Sequence, residues 1–275
     1  MEGVGSRASR GRLERTLVMG VVNVTPDSFA DGGRFLRAED AISRALLLVE
    51  EGADMLDVGG ESTRPGSDPV SAEEELDRVA PVIEGLARRV DVPISIDTYK
   101  PAVAAACLAL GARIVNDITG LEDPEMVRVA HERGAGVVVM HMRGRPKTMQ
   151  ADVAYDDVVG EVRAFLAERA ARARAAGIGQ VIVDPGIGFG KTAAHNFELL
   201  RRLAELCELG LPILVGPSRK SFLGSLPSAL PPAERLEGTL AAVAVAVMNG
   251  ASIVRVHDVR QVRRVVDVVD AVRTA

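Results

Sequence analysis

Three residues stand out for what they could do together: Asp97, Asn116 and Asp184, each ending a short apolar run at Pro93–Asp97, Arg113–Asn116 and Val181–Asp184. Two carboxylates and a carboxamide, with no metal spacing such as His-x-x-x-His nearby, suit a flat heterocycle that carries several N–H donors. A metal site is the rival reading. Buried aspartates also need partners, and Lys220 or Arg255 could serve merely as those. Ser218-Arg-Lys-Ser221 precedes a predicted helix that opens with Phe222, where two cations at a helix amino terminus would form an anion or carbonyl site. A desolvated Lys220 could instead form a Schiff base. Arg255 and His257 alternate along one run and so share a face; with Asn23 on a neighbouring strand they would line a pocket for a diphosphate.

Two connecting segments exceed the roughly 2–6 residues usual between a strand and the next helix. The first runs from Asn23 to Gly33, and its Asp27, Asp31, Gly32 and Gly33 suit a mobile polar loop. The second runs from Gly59 to Ser67; paired glycines allow close backbone approach, and Thr63 and Arg64 supply a hydroxyl and a guanidinium fork. Glu61 could simply pair with Arg64. Gly190-Lys-Thr192 ends like a phosphate-binding loop, but the first glycine of Gly-x-x-x-x-Gly-Lys-Thr would fall on Pro185, which excludes that reading. His195 reads as a neighbour of a helix cap, and His131, Cys107 and Cys207 as structural helix residues.

Such residues need a scaffold that gathers strand ends. Apolar strand candidates at Leu17–Val24, Met55–Gly59, Pro93–Asp97, Arg113–Asn116, Gly136–His141, Val181–Asp184, Pro212–Gly216 and Ser252–His257 alternate with helical stretches at Ala38–Glu51, Ala72–Arg89, Pro101–Leu110, Pro124–Arg133, Tyr155–Ala176, Ala194–Leu209, Leu236–Asn249 and Val259–Val272. This α/β alternation predicts a single (β/α)8 TIM barrel, a fold of about 250 residues with its active site at the carboxyl ends of the strands. A doubly wound open sheet would show a glycine-rich turn after the first strand, where this chain reads Asn23-Val-Thr-Pro-Asp27. Each predicted strand ends in polar residues: Asn23, Asp57 with Glu61, Asp97, Asn116 with Asp117, His141 with Arg143, Asp184, Ser218 to Ser221, and Arg255 with His257. Lysine is scarce, and Lys100, Lys147, Lys191 and Lys220 all follow strands, so they are expected on one rim. The barrel is predicted over 17–275, behind a flexible basic N-terminal extension at 1–16.

Composition narrows the function classes. Lys plus Arg number 33 against 38 Asp plus Glu, a net charge of −5 that gives no basis for nucleic-acid binding. No apolar run approaches the roughly 20 residues that span a bilayer, and no secretory signal is expected. Two cysteines in helical stretches point to a reducing, cytoplasmic setting. The run Leu240–Met248 is apolar all round, so its helix is expected to be covered on the face away from the barrel, in a homodimer.

Eight segments in order, Met19-Gly-Val-Val-Asn-Val-Thr-Pro-Asp-Ser-Phe29, Asp57-Val-Gly-Gly-Glu-Ser-Thr-Arg-Pro-Gly66, Ser95-Ile-Asp-Thr98, Val115-Asn-Asp117, Met140-His-Met-Arg-Gly144, Asp184-Pro-Gly-Ile-Gly-Phe-Gly-Lys191, Ser218-Arg-Lys-Ser221 and Arg255-Val-His257, resemble the dihydropteroate synthases of the pterin-binding barrel family. Ala30 departs from the Ser that the family often has. The resemblance implies a transferase of folate biosynthesis that condenses p-aminobenzoate with 6-hydroxymethyl-7,8-dihydropterin diphosphate by an SN1-like route. It implies Asp97, Asn116, Asp184 and Lys220 as the catalytic, pterin-binding set. It implies Asn23, Thr63, Arg255 and His257 around the diphosphate, with Mg²⁺ bound at Asn23. Thr63, Arg64, Pro65, Phe189 and Ser221 would shape the aminobenzoate site. The lack of a Ser-His or Cys-His nucleophile pair agrees with such chemistry. A methyltetrahydrofolate-binding methyltransferase barrel and a non-catalytic pterin-binding protein are the alternatives; neither needs both the Ser218–Ser221 segment and the Arg255/His257 pair.

Overall fold

Strands and helices alternate along the chain as the hydrophobic pattern predicts. The structure, a computed structural model, describes residues 15–25, 34–63, 66–151, 153–226 and 229–275, excepting the side chains of 34–37. The strands are β1 (Leu17–Asn23), β2 (Met55–Gly59), β3 (Ile94–Asp97), β4 (Ile114–Asp117), β5 (Gly136–Met140), β6 (Val181–Asp184), β7 (Leu214–Val215) and β8 (Ile253–Val256). The helices are α1 (Arg34–Glu50), α2 (Ala72–Ala87), α3 (Pro101–Ala109), α4 (Pro124–Glu132), α5 (Val158–Ala175), α6 (Ala193–Arg201), α7 (Leu236–Met248) and α8 (Val259–Thr274). The strands run parallel in the order β6-β5-β4-β3-β2-β1-β8-β7. A parallel bridge from Val183 to Ile213, just before β7, all but closes the ring. The result is the expected (β/α)8 barrel.

Register explains where the polar residues go. Met19 pairs with Met55, Asp57 with Ser95, and Gly59 with Asp97, which in turn pairs with Asn116. Asn116 pairs with Val138, Val138 with Ile182, and Met19 with Arg255. Because strand side chains alternate, all these residues share the inward face. Met19, Met55, Ile114, Val138, Ile182, Leu214 and Ile253 pack there as an apolar floor, separate from the larger core between sheet and helices. Two residues further along the strands lie Asp57, Asn116, Asp184 and Arg255. Each polar group thus stands one inward step above an apolar one, at the strand ends.

Four expectations need adjusting. Strand β7 is reduced to two residues because Pro212 has no N–H to give the ladder and Pro217 follows closely. The helix predicted over Ala194–Leu209 breaks after α6, and Leu203–Leu209 continues as a 3₁₀ helix, whose three-residue turn points both Leu203 and Leu206 inward. The segment after Lys220 is a five-residue 3₁₀ helix, Ser221–Ser225, rather than an α-helix. The barrel begins before residue 17, since Thr16 donates to Asp270 from backbone and hydroxyl, and Arg15 pairs with Asp54. The rest of the expected extension, residues 1–14, lies outside the described residues.

Helix α7 buries Thr239, Ala242, Val243, Ala246 and Val247 but leaves Val245 and Met248 exposed, and neighbouring α8 exposes Val268 and Val272. Among the described residues, no helix is long and apolar enough to cross a membrane.

Candidate active site

The barrel mouth is organised around Arg255. Its Nε donates to Asp57 Oδ2 at 2.6 Å and its Nη2 to Asp97 Oδ2 at 2.6 Å, so one planar guanidinium ties β8 to β2 and β3. Nη1 makes no hydrogen bond among the described residues. Asn116 Nδ2 donates to the same Asp57 oxygen at 3.0 Å. Asp57 is fully buried and Asn116 is 4% exposed. Asp57 Oδ1, Asn116 Oδ1 and Ser95 Oγ, all buried, have no hydrogen-bond partner among the described residues. A buried polar atom left unpaired costs about 1–3 kcal/mol, so this layer has bonding capacity held in reserve. Burial pushes the Asp97 carboxyl up to about 7 against the pull of Arg255, with Asp57 adding to the rise. Burial works against the charge on Arg255, but Asp57 and then Asp97 hold its guanidinium above the ordinary value.

The second half of the mouth comes from β6, β7 and their loops. Asp184 Oδ1 accepts the Gly186 N–H at 2.7 Å, and burial raises its carboxyl while Lys220 opposes the rise. Lys220 Nζ donates to Ile187 O and lies 4.4 Å from the centre of the Phe189 ring. Burial lowers the Lys220 ammonium to about 8, Asp184 opposing and Arg255 assisting. Asp97, Asp184, Lys220 and Arg255 therefore belong to one electrostatically coupled group, and Asn116 joins it through its hydrogen bond to Asp57. The bland reading of Arg255 as a carboxylate partner holds for its geometry, and Nη1 remains uncommitted.

The rim residues separate by what they touch. Asn23 ends β1, half-buried, beside β8. The His257 ring meets Ser218 Oγ at 3.0 Å through Nδ1, so β7 and β8 orient it together. Arg219 turns away to Asp258, which leaves Lys220 as the cation of that segment facing the mouth. Ser221 is exposed at the start of the short 3₁₀ helix. One 3₁₀ turn aligns too few peptides to act as a helix dipole, so the expected helix-terminus anion site is not formed there. Thr63 is half-buried on the β2–α2 connection. Glu61 lies on the same connection and pairs with Lys100 at 2.5 Å, while accepting from Tyr99 and the Val70 N–H. Arg64, Pro65 and the segment 26–33 lie outside the described residues.

The residue most central to this network, Asp57, is in the sequence a strand-end acid that opens one of the eight family segments and stands in none of the expected site sets. An acid in the middle of the apolar strand Met-Leu-Asp-Val-Gly was the signal available, because a lone charge there faces either a partner or a cavity. Ser95, its inward neighbour on β3, begins another of those segments and is likewise in none of the expected site sets. His195, as expected, caps α6: its N–H donates to Thr192 Oγ1 and its Nδ1 accepts from the Thr192 N–H.

Comparison with known proteins follows the same outline. The family model described as pterin binding enzyme matches residues 19–257. The dihydropteroate synthase of Escherichia coli K12 is 50% identical over 265 residues, covering 96% of this chain and 94% of that protein. The Xanthomonas albilineans dihydropteroate synthase with 4-aminobenzoic acid superposes with a TM-score of 0.89 at 47% identity, covering 95% of this chain and 94% of that one. The same organism's enzyme in complex with 7,8-dihydropteroate superposes at 0.86, with 44% identity and 95% of both chains covered.

Proposed function

Because the chain belongs to the pterin binding enzyme family, we infer that it carries dihydropteroate synthase activity. It is a transferase that joins p-aminobenzoate to 6-hydroxymethyl-7,8-dihydropterin diphosphate, giving 7,8-dihydropteroate and diphosphate in folate biosynthesis. The observation that carries this reading is the inward polar layer of Asp57, Asp97, Asn116 and Asp184, set above an apolar floor and faced by Arg255 and Lys220. Its uncommitted acceptors suit the N–H-rich edge of a dihydropterin, and its floor suits the flat ring.

In this reading Asp97, Asn116 and Asp184 receive the ring's donors. Lys220 donates to the ring carbonyl and a ring nitrogen rather than forming an imine. Arg255 through Nη1, His257, Asn23 and Thr63 hold the diphosphate. Thr63, Phe189 and Ser221, with Arg64 and Pro65, surround the aminobenzoate. The methylene C–O bond breaks with its electron pair leaving on diphosphate, and the cation is shared between methylene and ring. Asp97 and Asp184 stabilise that charge from fixed positions. The neutral arylamine nitrogen attacks the methylene, forms the C–N bond and sheds a proton. No covalent nucleophile is needed, in accord with the residues at the mouth.

Mg²⁺ fits this site as a companion of the diphosphate. Among the described residues no three His, Cys, Asp or Glu side chains group as ligands. Asn23 would hold it through its amide oxygen, an oxygen donor of the kind this hard cation takes, with the diphosphate supplying the rest of the binding. When bound, it supplies charge neutralisation to the leaving group.

A homodimer in the cytoplasm completes the reading. The exposed Val245, Met248, Val268 and Val272 on adjacent α7 and α8 support a self-association face, and Cys107 and Cys207 remain thiols, as suits a reducing compartment.

Diphosphate release by the purified chain is the test. It requires both substrates and Mg²⁺, stops on chelation, and is inhibited by sulfonamides in competition with aminobenzoate; release independent of aminobenzoate overturns the reading. A borohydride-trapped adduct on Lys220 refutes its assigned role, and a monomer in light scattering at micromolar concentration refutes the dimer.

A further inference from the structure

The Gly190-Lys-Thr192 sequence is no phosphate loop, and the structure gives its lysine another use. Lys191 is 3% exposed and has no ion-pair partner among the described residues. Its ammonium nitrogen lies 3.0 Å from Gly186 O, 3.0 Å from Phe189 O, 3.3 Å from His141 O and 3.0 Å from His141 Nδ1. All three oxygens are backbone carbonyls. Burial and the charge of Lys191 hold the His141 imidazole neutral, down to about 2, which leaves one ring nitrogen free to accept from the Lys191 ammonium. Burial lowers the Lys191 ammonium to about 7, Asp184 opposing; the three carbonyls match the three N–H donors of its charged form, where the free amine has two.

The loop that carries the Gly186 and Phe189 carbonyls is folded hard against the exit of β5, where His141 lies. Gly186 (φ 66°) and Gly190 (φ 59°) are both left-handed, and a Cβ at either would fall 1.9 Å from His141 O or 2.5 Å from Arg143 O. That loop serves the mouth at three points. Gly186 N–H binds Asp184, Ile187 O receives Lys220, and Phe189 lies under the Lys220 ammonium.

We propose that Lys191 is a positioning residue for the reaction: by gathering the carbonyls of His141, Gly186 and Phe189 onto one buried ammonium, it sets the 185–190 loop that orients Asp184 and Lys220 toward the pterin. The proposal rests on the activity inferred above. Arginine cannot do the same, because its planar fork spreads donors that here must converge on a point. Diphosphate binding is expected to be indifferent to Lys191, since Arg255, His257 and Asn23 are held by other strands.

The test measures K191M, K191R and H141L. K191M leaves three carbonyls and an imidazole nitrogen without their donor, so it weakens binding of 6-hydroxymethylpterin, followed by calorimetry, about tenfold or more and lowers kcat by a similar factor. Its inhibition constant for inorganic diphosphate stays within about twofold of the parent. K191R behaves like K191M. H141L, which removes one acceptor of four and keeps the carbonyl cluster, repeats the pattern at about threefold and decides the matter if K191M does not fold. Equal weakening of pterin and diphosphate, full function in K191R, or parental pterin affinity in K191M or H141L overturns the proposal. Failure of the unsubstituted chain to bind the pterin would instead overturn the proposed activity.

Discussion

Two clusters in this barrel share a composition, one cation between two largely buried carboxylates, and differ in what they leave over. Arg255 joins Asp57 and Asp97 inside the mouth; Lys100 joins Glu61 and Glu75 at 2.5 Å each, between the β2–α2 connection, α2 and the start of α3. The outer cluster closes on itself. Both oxygens of Glu61 are taken, by Tyr99 and by Lys100 with the Val70 N–H, and only Glu75 Oε1 is unpaired among the described residues. The inner cluster leaves Asp57 Oδ1, Asn116 Oδ1 and Ser95 Oγ unpaired, and Arg255 Nη1 uncommitted. Burial and charge alone therefore do not distinguish a binding site from a brace. Unspent hydrogen-bonding capacity on the inward face does.

Substitutions separate the two roles. Asp184→Asn keeps an oxygen for the Gly186 N–H but removes the charge, so kcat drops by about 10²–10³-fold. Its melting temperature stays level or rises, because burial disfavours that charge; a melt that falls sharply while kcat holds would merge the two clusters into one kind. Lys100→Met does the opposite. Stranding two buried carboxylates costs about 3–5 kcal/mol in urea unfolding, while kcat at saturating substrate stays within about threefold. A fall in kcat as large as that of Asp184→Asn breaks the distinction.

The pH dependence sharpens it further. The proposed roles require Asp97 ionised and Lys220 protonated, so kcat/KM is expected to rise through about 7 and fall through about 8 as apparent values of the coupled mouth. Lys220→Arg removes the alkaline limb, whereas a limb that persists there assigns it elsewhere. The stability sign runs the other way for Asp97: its folded pKa is raised, so its contribution is full below the ordinary carboxylate value and lost as pH rises through about 7. Unfolding measured across that range on the parent and Asp97→Asn isolates this difference. The smallest effect belongs to Lys147 and Asp68, an exposed pair between the β5–α5 and β2–α2 connections. Lys147→Met leaves the melting temperature unchanged within error, since exposed pairs are screened by water and salt.

Much of the barrel and part of the mouth were legible beforehand. The runs ending in Asp97, Asn116 and Asp184 place those residues on the inward face near the strand ends, as polar ends of apolar barrel strands implied, and the strands flank one another in chain order. Local features that depend on packing were not legible. Ser221 looked like the start of an α-helix but begins one 3₁₀ turn, and Ala194–Leu209 looked continuous but breaks after Arg201. Glu61 had Arg64 three residues away as an obvious partner; it meets Lys100, and Arg64 lies outside the described residues. Asp57 is legible as an acid isolated among apolar residues and Lys191 as one of four scarce lysines following strands, but neither one's partners are legible.

The chain's periodicity determined by itself which residues on each strand share a face, because that depends only on a two-residue repeat. The tertiary structure decided which strand lies beside which and at what height, since that is fixed by helices packing outside the sheet. Arg255 reaches Asp57 across 198 residues of chain because β1 seats β8 and β2 on either side at a matched register. A guanidinium can span that gap only once β8 and β2 have both paired with β1, so the chemistry of the mouth is a property of the assembled sheet.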